Sequence, residues 1–88
     1  MAGDEIERLR AELADVDRGL VAGMNRRLRL VAQLKRVKEE RGIGFLDPAR
    51  EQFMLEWLAG RNEGPLSDAG LRALYTELLT LTKRELGG

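Results

Sequence analysis

Residues 4–41 read DEIERLRAELADVDRGLVAGMNRRLRLVAQLKRVKEER. Apolar side chains fall at Ile6, Leu9, Leu13, Val16 and Leu20, and again at Leu30, Leu34 and Val37. Steps of three and four residues place them on one stripe of an α-helix. Such a helix extends roughly 55 Å at 1.5 Å per residue, whereas a small domain is only about 30 Å across. The two short segments left in a chain of 88 residues cannot cover that stripe. A second copy packed alongside is the simplest cover, and association is a common remedy for small domains with little core. The stretch therefore predicts an all-α chain that forms an intertwined homodimer.

Strong helix breakers occur at two places, RGIGFLDP (41–48) and RNEGPLSD (61–68). They divide a single domain, residues 1–88, into one long and two shorter helices at about 4–41, 47–60 and 67–86. No segment shows the alternation of a strand. Asp47 is a good N-cap for the second helix and Pro48 suits its first position. Phe53, Met54, Trp57 and Leu58 give that helix an apolar face, which ends near Gly60. Ser67 caps the third, whose apolar face is Leu71, Leu74, Tyr75, Leu78, Leu79 and Leu86.

Composition narrows the chemistry. Fifteen basic and fifteen acidic residues cancel, and no basic block stands out, so nucleic acid is not an expected partner. Histidine and cysteine are both absent. Disulfides, thiolate nucleophiles, histidine acid–base catalysis and the usual zinc sites are thereby excluded. No acidic ligand loop suggests another metal, and no cofactor is expected. No signal peptide or long apolar run is evident, so a soluble, cytoplasmic protein without a membrane partner is expected.

Charges interrupt the apolar stripe of the first helix. Arg27 lies seven residues from both Leu20 and Leu34, nearly two full turns. Lys38 lies eleven residues further on, about three turns, within roughly 20° of the same line. A buried charge is costly unless it is paired, so something anionic should meet these two cations. Two readings stay open: an internal ion pair with Glu51 or another carboxylate, or an anionic ligand. Arg10 sits beside Leu9 on a different face, which by itself suggests solvated surface. Thr82 falls on an apolar line with Tyr75, Leu79 and Leu86, and a threonine there commonly bonds its own helix backbone. Gly19 and Gly23 allow a close helix approach or are simply tolerated. In FLDPAREQF (45–53), Asp47, Arg50 and Glu51 either open a helix or line a site.

The combination resembles a known family. LRAELADVDRGLV (9–21) carries an early arginine. NRRLRLVAQLKRVK (25–38) carries Arg27 and Lys38 eleven apart. LDPARE (46–51) follows a glycine loop, and LYTELLTLTKREL (74–86) follows a G-P-L-S-D turn. This order is similar to the all-helical, type II class of chorismate mutase over about residues 5–86. The resemblance implies an intertwined helical dimer that rearranges chorismate to prephenate in aromatic amino-acid biosynthesis, an isomerase without cofactor or metal. It implies that Arg27 grips a substrate carboxylate and that Arg10 enters the partner's site. It implies that Lys38 hydrogen-bonds the breaking ether oxygen, and that Asp47 and Glu51 lie near the ring hydroxyl with Arg50 as a supporting cation. Thr82 stands where the family often has a serine near a carboxylate. Fusion to, or complex with, another enzyme of the pathway is also in keeping with the family.

One position departs from that pattern. Four residues after the serine position the family carries a glutamine or glutamate, and here Leu86 stands. Glu85 is adjacent but about 100° round the helix. Either a shift at the helix end brings Glu85 in, or the second ether-oxygen donor is missing. Two rival functions share these features: an isochorismate pyruvate-lyase on the same fold, and a non-catalytic or regulatory helical dimerisation domain.

Overall fold

A computed structural model describes residues 2–87 as three α-helices: α1, Ala2–Glu40; α2, Pro48–Ala59; and α3, Asp68–Glu85. No strand occurs among the described residues. Nor, among them, is any helix long and apolar enough to cross a membrane. The contacts divide the chain into two units, Met1–Gln33 and Leu34–Gly88.

The described part of the first unit is helix throughout, and every residue from 3 to 23 is exposed. Ile6, Leu9, Leu13, Val16 and Leu20 each keep 50–63% of their surface open to solvent. Ion pairs one turn apart lie along the helix: Arg8 with Glu12 at 3.2 Å and Arg18 with Asp15 at 3.1 Å. Such pairs add only about 0.2–0.5 kcal/mol each. The apolar stripe is formed as the period demands, and none of the unit's described residues covers it. A side chain added at Gly19 or Gly23 would meet nothing within 4 Å, so neither glycine serves a close approach among the described residues of its unit.

The second unit begins in the last turns of α1. Gly42, at φ 68°, donates its N–H to the Glu39 carbonyl, and Ile43 donates to the Lys38 carbonyl at 2.8 Å. That bond pattern with a left-handed glycine is a Schellman stop. It ends α1 two residues after Lys38 and turns the chain toward FLDPAREQF. Asp47 caps α2, its Oδ1 accepting from the Arg50 N–H at 3.1 Å, with Pro48 in the first position. Ser67 caps α3 in the same way, accepting from the Gly70 N–H at 2.9 Å.

α2 and α3 run antiparallel and are tied at two levels. Glu51 meets Lys83 at one, and Glu56 meets Arg72 at the other. Arg72 is bidentate on Glu56, at 2.8 and 3.2 Å, and also holds Asp68 at 2.7 Å. The guanidinium holds the Glu56 carboxyl below its ordinary range, and the two carboxylates push Arg72 up in turn. Among the described residues the most buried are Tyr75 and Thr82, seven residues apart on α3, at 8% and 5% exposure. On α2 the inward line is Glu51, Met54, Leu55 and Leu58, all half-buried. Phe53 and Trp57 were expected on this face but stand 53% and 41% exposed. Each lies one residue before an inward position, about 100° round the helix. Their rings instead carry cations, Arg50 at 4.9 Å over Phe53 and Arg61 at 4.0 Å over Trp57.

Candidate active site

The expected site residues fall in both units. Arg10, exposed, and Arg27, half-buried, belong to the first. Lys38, Asp47, Arg50, Glu51 and Thr82 belong to the second.

Within the second unit the stretch FLDPAREQF is the point of convergence. Lys38 is half-buried in the last turn of α1, and its Nζ donates to the Phe45 carbonyl at 3.2 Å. An ammonium has three donors, so two are left to serve another acceptor. Two residues on from Phe45, Asp47 spends one side-chain oxygen on the α2 cap. That cap fixes the first turn of α2, from which Arg50 and Glu51 project. Arg50 is exposed and rests against Phe53. Glu51 is half-buried and meets Lys83, with Nζ 3.0 Å from Oε1 and 3.3 Å from Oε2. The carboxylate considered as a neutralising partner for Arg27 or Lys38 thus pairs with a lysine of α3.

Thr82 is buried next to that lysine, and its Oγ1 donates to the Leu78 carbonyl at 2.7 Å. This is the helix back-bond that a threonine on an apolar line commonly makes. A substrate carboxylate needs a donor, so the hydroxyl hydrogen would have to rotate from Leu78 to serve one.

The end of α3 bears on the departure at Leu86. The helix keeps its register there: the Leu86 N–H donates to the Thr82 carbonyl at 3.1 Å, and Glu85 is exposed. The local shift that would bring Glu85 inward is not present. The Leu86 carbonyl accepts from Lys35 Nζ at 2.8 Å, and the same ammonium lies 5.3 Å from the centre of the Phe45 ring. Lys35 and Lys83 were not singled out in the sequence. Lys35 precedes Lys38 by three residues and so lies on a neighbouring face, which is a readable signal. The partner of Lys83 is 32 residues away, and no local pattern points to it.

The family chorismate mutase type II matches residues 9–85. Among solved structures, the Form I structure of chorismate mutase from Thermus thermophilus is 35% identical, with a TM-score of 0.86 over 89% of this chain and 98% of that chain. The Form II structure from the same organism is 34% identical, with a TM-score of 0.86 over 91% of each chain. No curated protein sequence matches. With three helices in the same arrangement and a family match across nearly its whole length, the chain belongs to the chorismate mutase type II family.

Proposed function

We propose that this protein is a chorismate mutase, an isomerase that rearranges chorismate to prephenate in aromatic amino-acid biosynthesis, and that it works as a homodimer. The observation that carries the activity is the match to the Thermus thermophilus chorismate mutase along 98% of that chain. The open stripe of α1 supports the dimer, since five large apolar residues at 50–63% exposure need a cover.

The chemistry suits the residues present. An intramolecular rearrangement requires no nucleophile, metal or proton cycle, and so no histidine or cysteine. Chorismate is a dianion. In this reading Arg27 and Arg10 of the partner subunit hold its two carboxylates by bidentate hydrogen bonds. That grip selects the compact, pre-reactive shape. As the ether bond breaks and the new carbon–carbon bond forms, negative charge grows on the ether oxygen. Lys38 supplies its donors there, and they act more strongly in the transition state than in the ground state. Glu51 accepts a hydrogen bond from the ring hydroxyl. Asp47 sets the turn that presents Glu51 and Arg50, and Thr82 borders a carboxylate. The apolar Leu86 adds no side-chain donor, so Lys38 carries the ether-oxygen role without a glutamine beside it.

Incubation with chorismate and, separately, with isochorismate tests the proposal, with products identified chromatographically. Prephenate from chorismate is the expected result. Pyruvate from isochorismate without any prephenate would reassign the chain as a lyase. No turnover of either by a folded dimer would leave a helical dimerisation or regulatory domain.

A further inference from the structure

We infer that Lys83 is a positioning residue for Glu51, fixing the carboxylate that receives the substrate hydroxyl. The inference rests on the proposed mutase reading, in which Glu51 faces substrate. Its basis is geometric. Lys83 Nζ reaches both oxygens of Glu51, 3.0 Å from Oε1 and 3.3 Å from Oε2, from the last turn of α3 to the first turn of α2. An acid at a helix start and a base at a helix end each suit the local dipole, so the pair suits both helices at once.

The two side chains are 39% and 30% exposed. A pair this open contributes little to stability. Its effect is on placement. Glutamate has three rotatable side-chain bonds, and the neighbouring Arg50 is turned to Phe53 rather than to it. The ammonium of Lys83, rooted beside the buried Thr82, holds the carboxylate on the α3 side. A carboxylate offers about four lone-pair sites, so one lysine leaves acceptors for a hydroxyl. Without Lys83 the carboxylate is still present but no longer fixed.

The test is a double-mutant cycle on chorismate turnover. The hydroxyl contact exists in both ground and transition states, so its loss raises KM and leaves kcat nearly unchanged. Hydrogen bonds to charged groups set the scale at about tenfold in KM for Lys83→Met. Lys83→Arg should restore most of it. In a Glu51→Gln background, Lys83→Met should add nothing, because the group it acts through has been altered. An equal KM effect in both backgrounds would overturn the inference. So would a fall in kcat at constant KM together with a lower melting temperature, the signature of a merely structural bridge. If the wild type does not turn over chorismate, the mutase reading fails and takes this inference with it. If the wild type does turn over and Lys83→Met leaves KM unchanged, the inference alone is overturned.

Discussion

Leu13 is the residue at which the dimer is most directly challenged. It sits midway along the exposed stripe of α1 with 60% of its surface open. Fully burying a leucine is worth about 1.5–3 kcal/mol, so covering the open part is worth about 1–2 kcal/mol. In a two-fold dimer each such position counts twice, about 2–4 kcal/mol per dimer. Leu13→Glu forfeits that and forces two carboxylates toward an apolar seam. At 1.4 kcal/mol per tenfold, the dissociation constant should rise about thirty- to a thousandfold. The single chain should not suffer, because leucine and glutamate have similar helix propensity and the site is open within its own unit. Light scattering behind size exclusion reads the outcome directly. The wild type should have twice the 9.9 kDa chain mass, and Leu13→Glu should shift toward one chain mass at micromolar concentration. Activity should fall in parallel, because the proposed site draws Arg10 from the partner subunit. An unchanged mass for Leu13→Glu, or a wild type of 9.9 kDa, would refute the reasoning.

Three further outcomes are expected. Glu85→Gln should leave both turnover and its pH profile as in the wild type, because Glu85 is exposed on a helix that keeps its register; a rise in activity confined to high pH would show that Glu85 acts as a protonated donor. Asp47→Ala should cost about 1 kcal/mol through the lost cap, or about 4–8 °C in melting temperature for a domain of this size, whereas Asp47→Asn should keep both melting temperature and KM, since asparagine caps as well as aspartate; a raised KM in Asp47→Asn at unchanged stability would make Asp47 a substrate ligand. Glu56 is held below its ordinary value of 4.5 by Arg72, so its contribution to stability is present above that pH and is lost as pH falls through the depressed value. The stability gap between wild type and Arg72→Met, measured by urea denaturation, should therefore shrink below pH 4.5, and a constant gap would remove the ion pair as its cause.

Much of the fold was legible because it rests on local rules. The period of α1, the cap residues Asp47 and Ser67, and the glycine at the end of α1 each act within a turn or two of chain. The faces of α2 were less legible. Phe53 and Met54, like Trp57 and Leu58, are adjacent apolar residues, and a shift of one position turns a helix by about 100°. Which of each pair faces α3 depends on the partner helix, and Met54 and Leu58 took the inward line. The same limit applies to the candidate site. Arg27 and Lys38 stood out because they interrupt a pattern on one helix. The Glu51–Lys83 pair and the bond from Lys35 to the Leu86 carbonyl join residues 32 and 51 positions apart, and only packing brings them together. Thr82 behaved as local chemistry dictates, with its hydroxyl bound to its own helix.

The most direct measurement is kcat on chorismate for the purified wild type beside Lys38→Ala. The half-buried Lys38 ammonium, tied to the Phe45 carbonyl with donors to spare, is the group assigned to the developing charge on the ether oxygen. Losing such a donor costs about 2.7–4 kcal/mol, or a hundred- to a thousandfold in kcat. The expected result is prephenate formation by the wild type and a loss of that size in Lys38→Ala at an unchanged helical circular-dichroism spectrum. Turnover by Lys38→Ala close to the wild-type rate would contradict it.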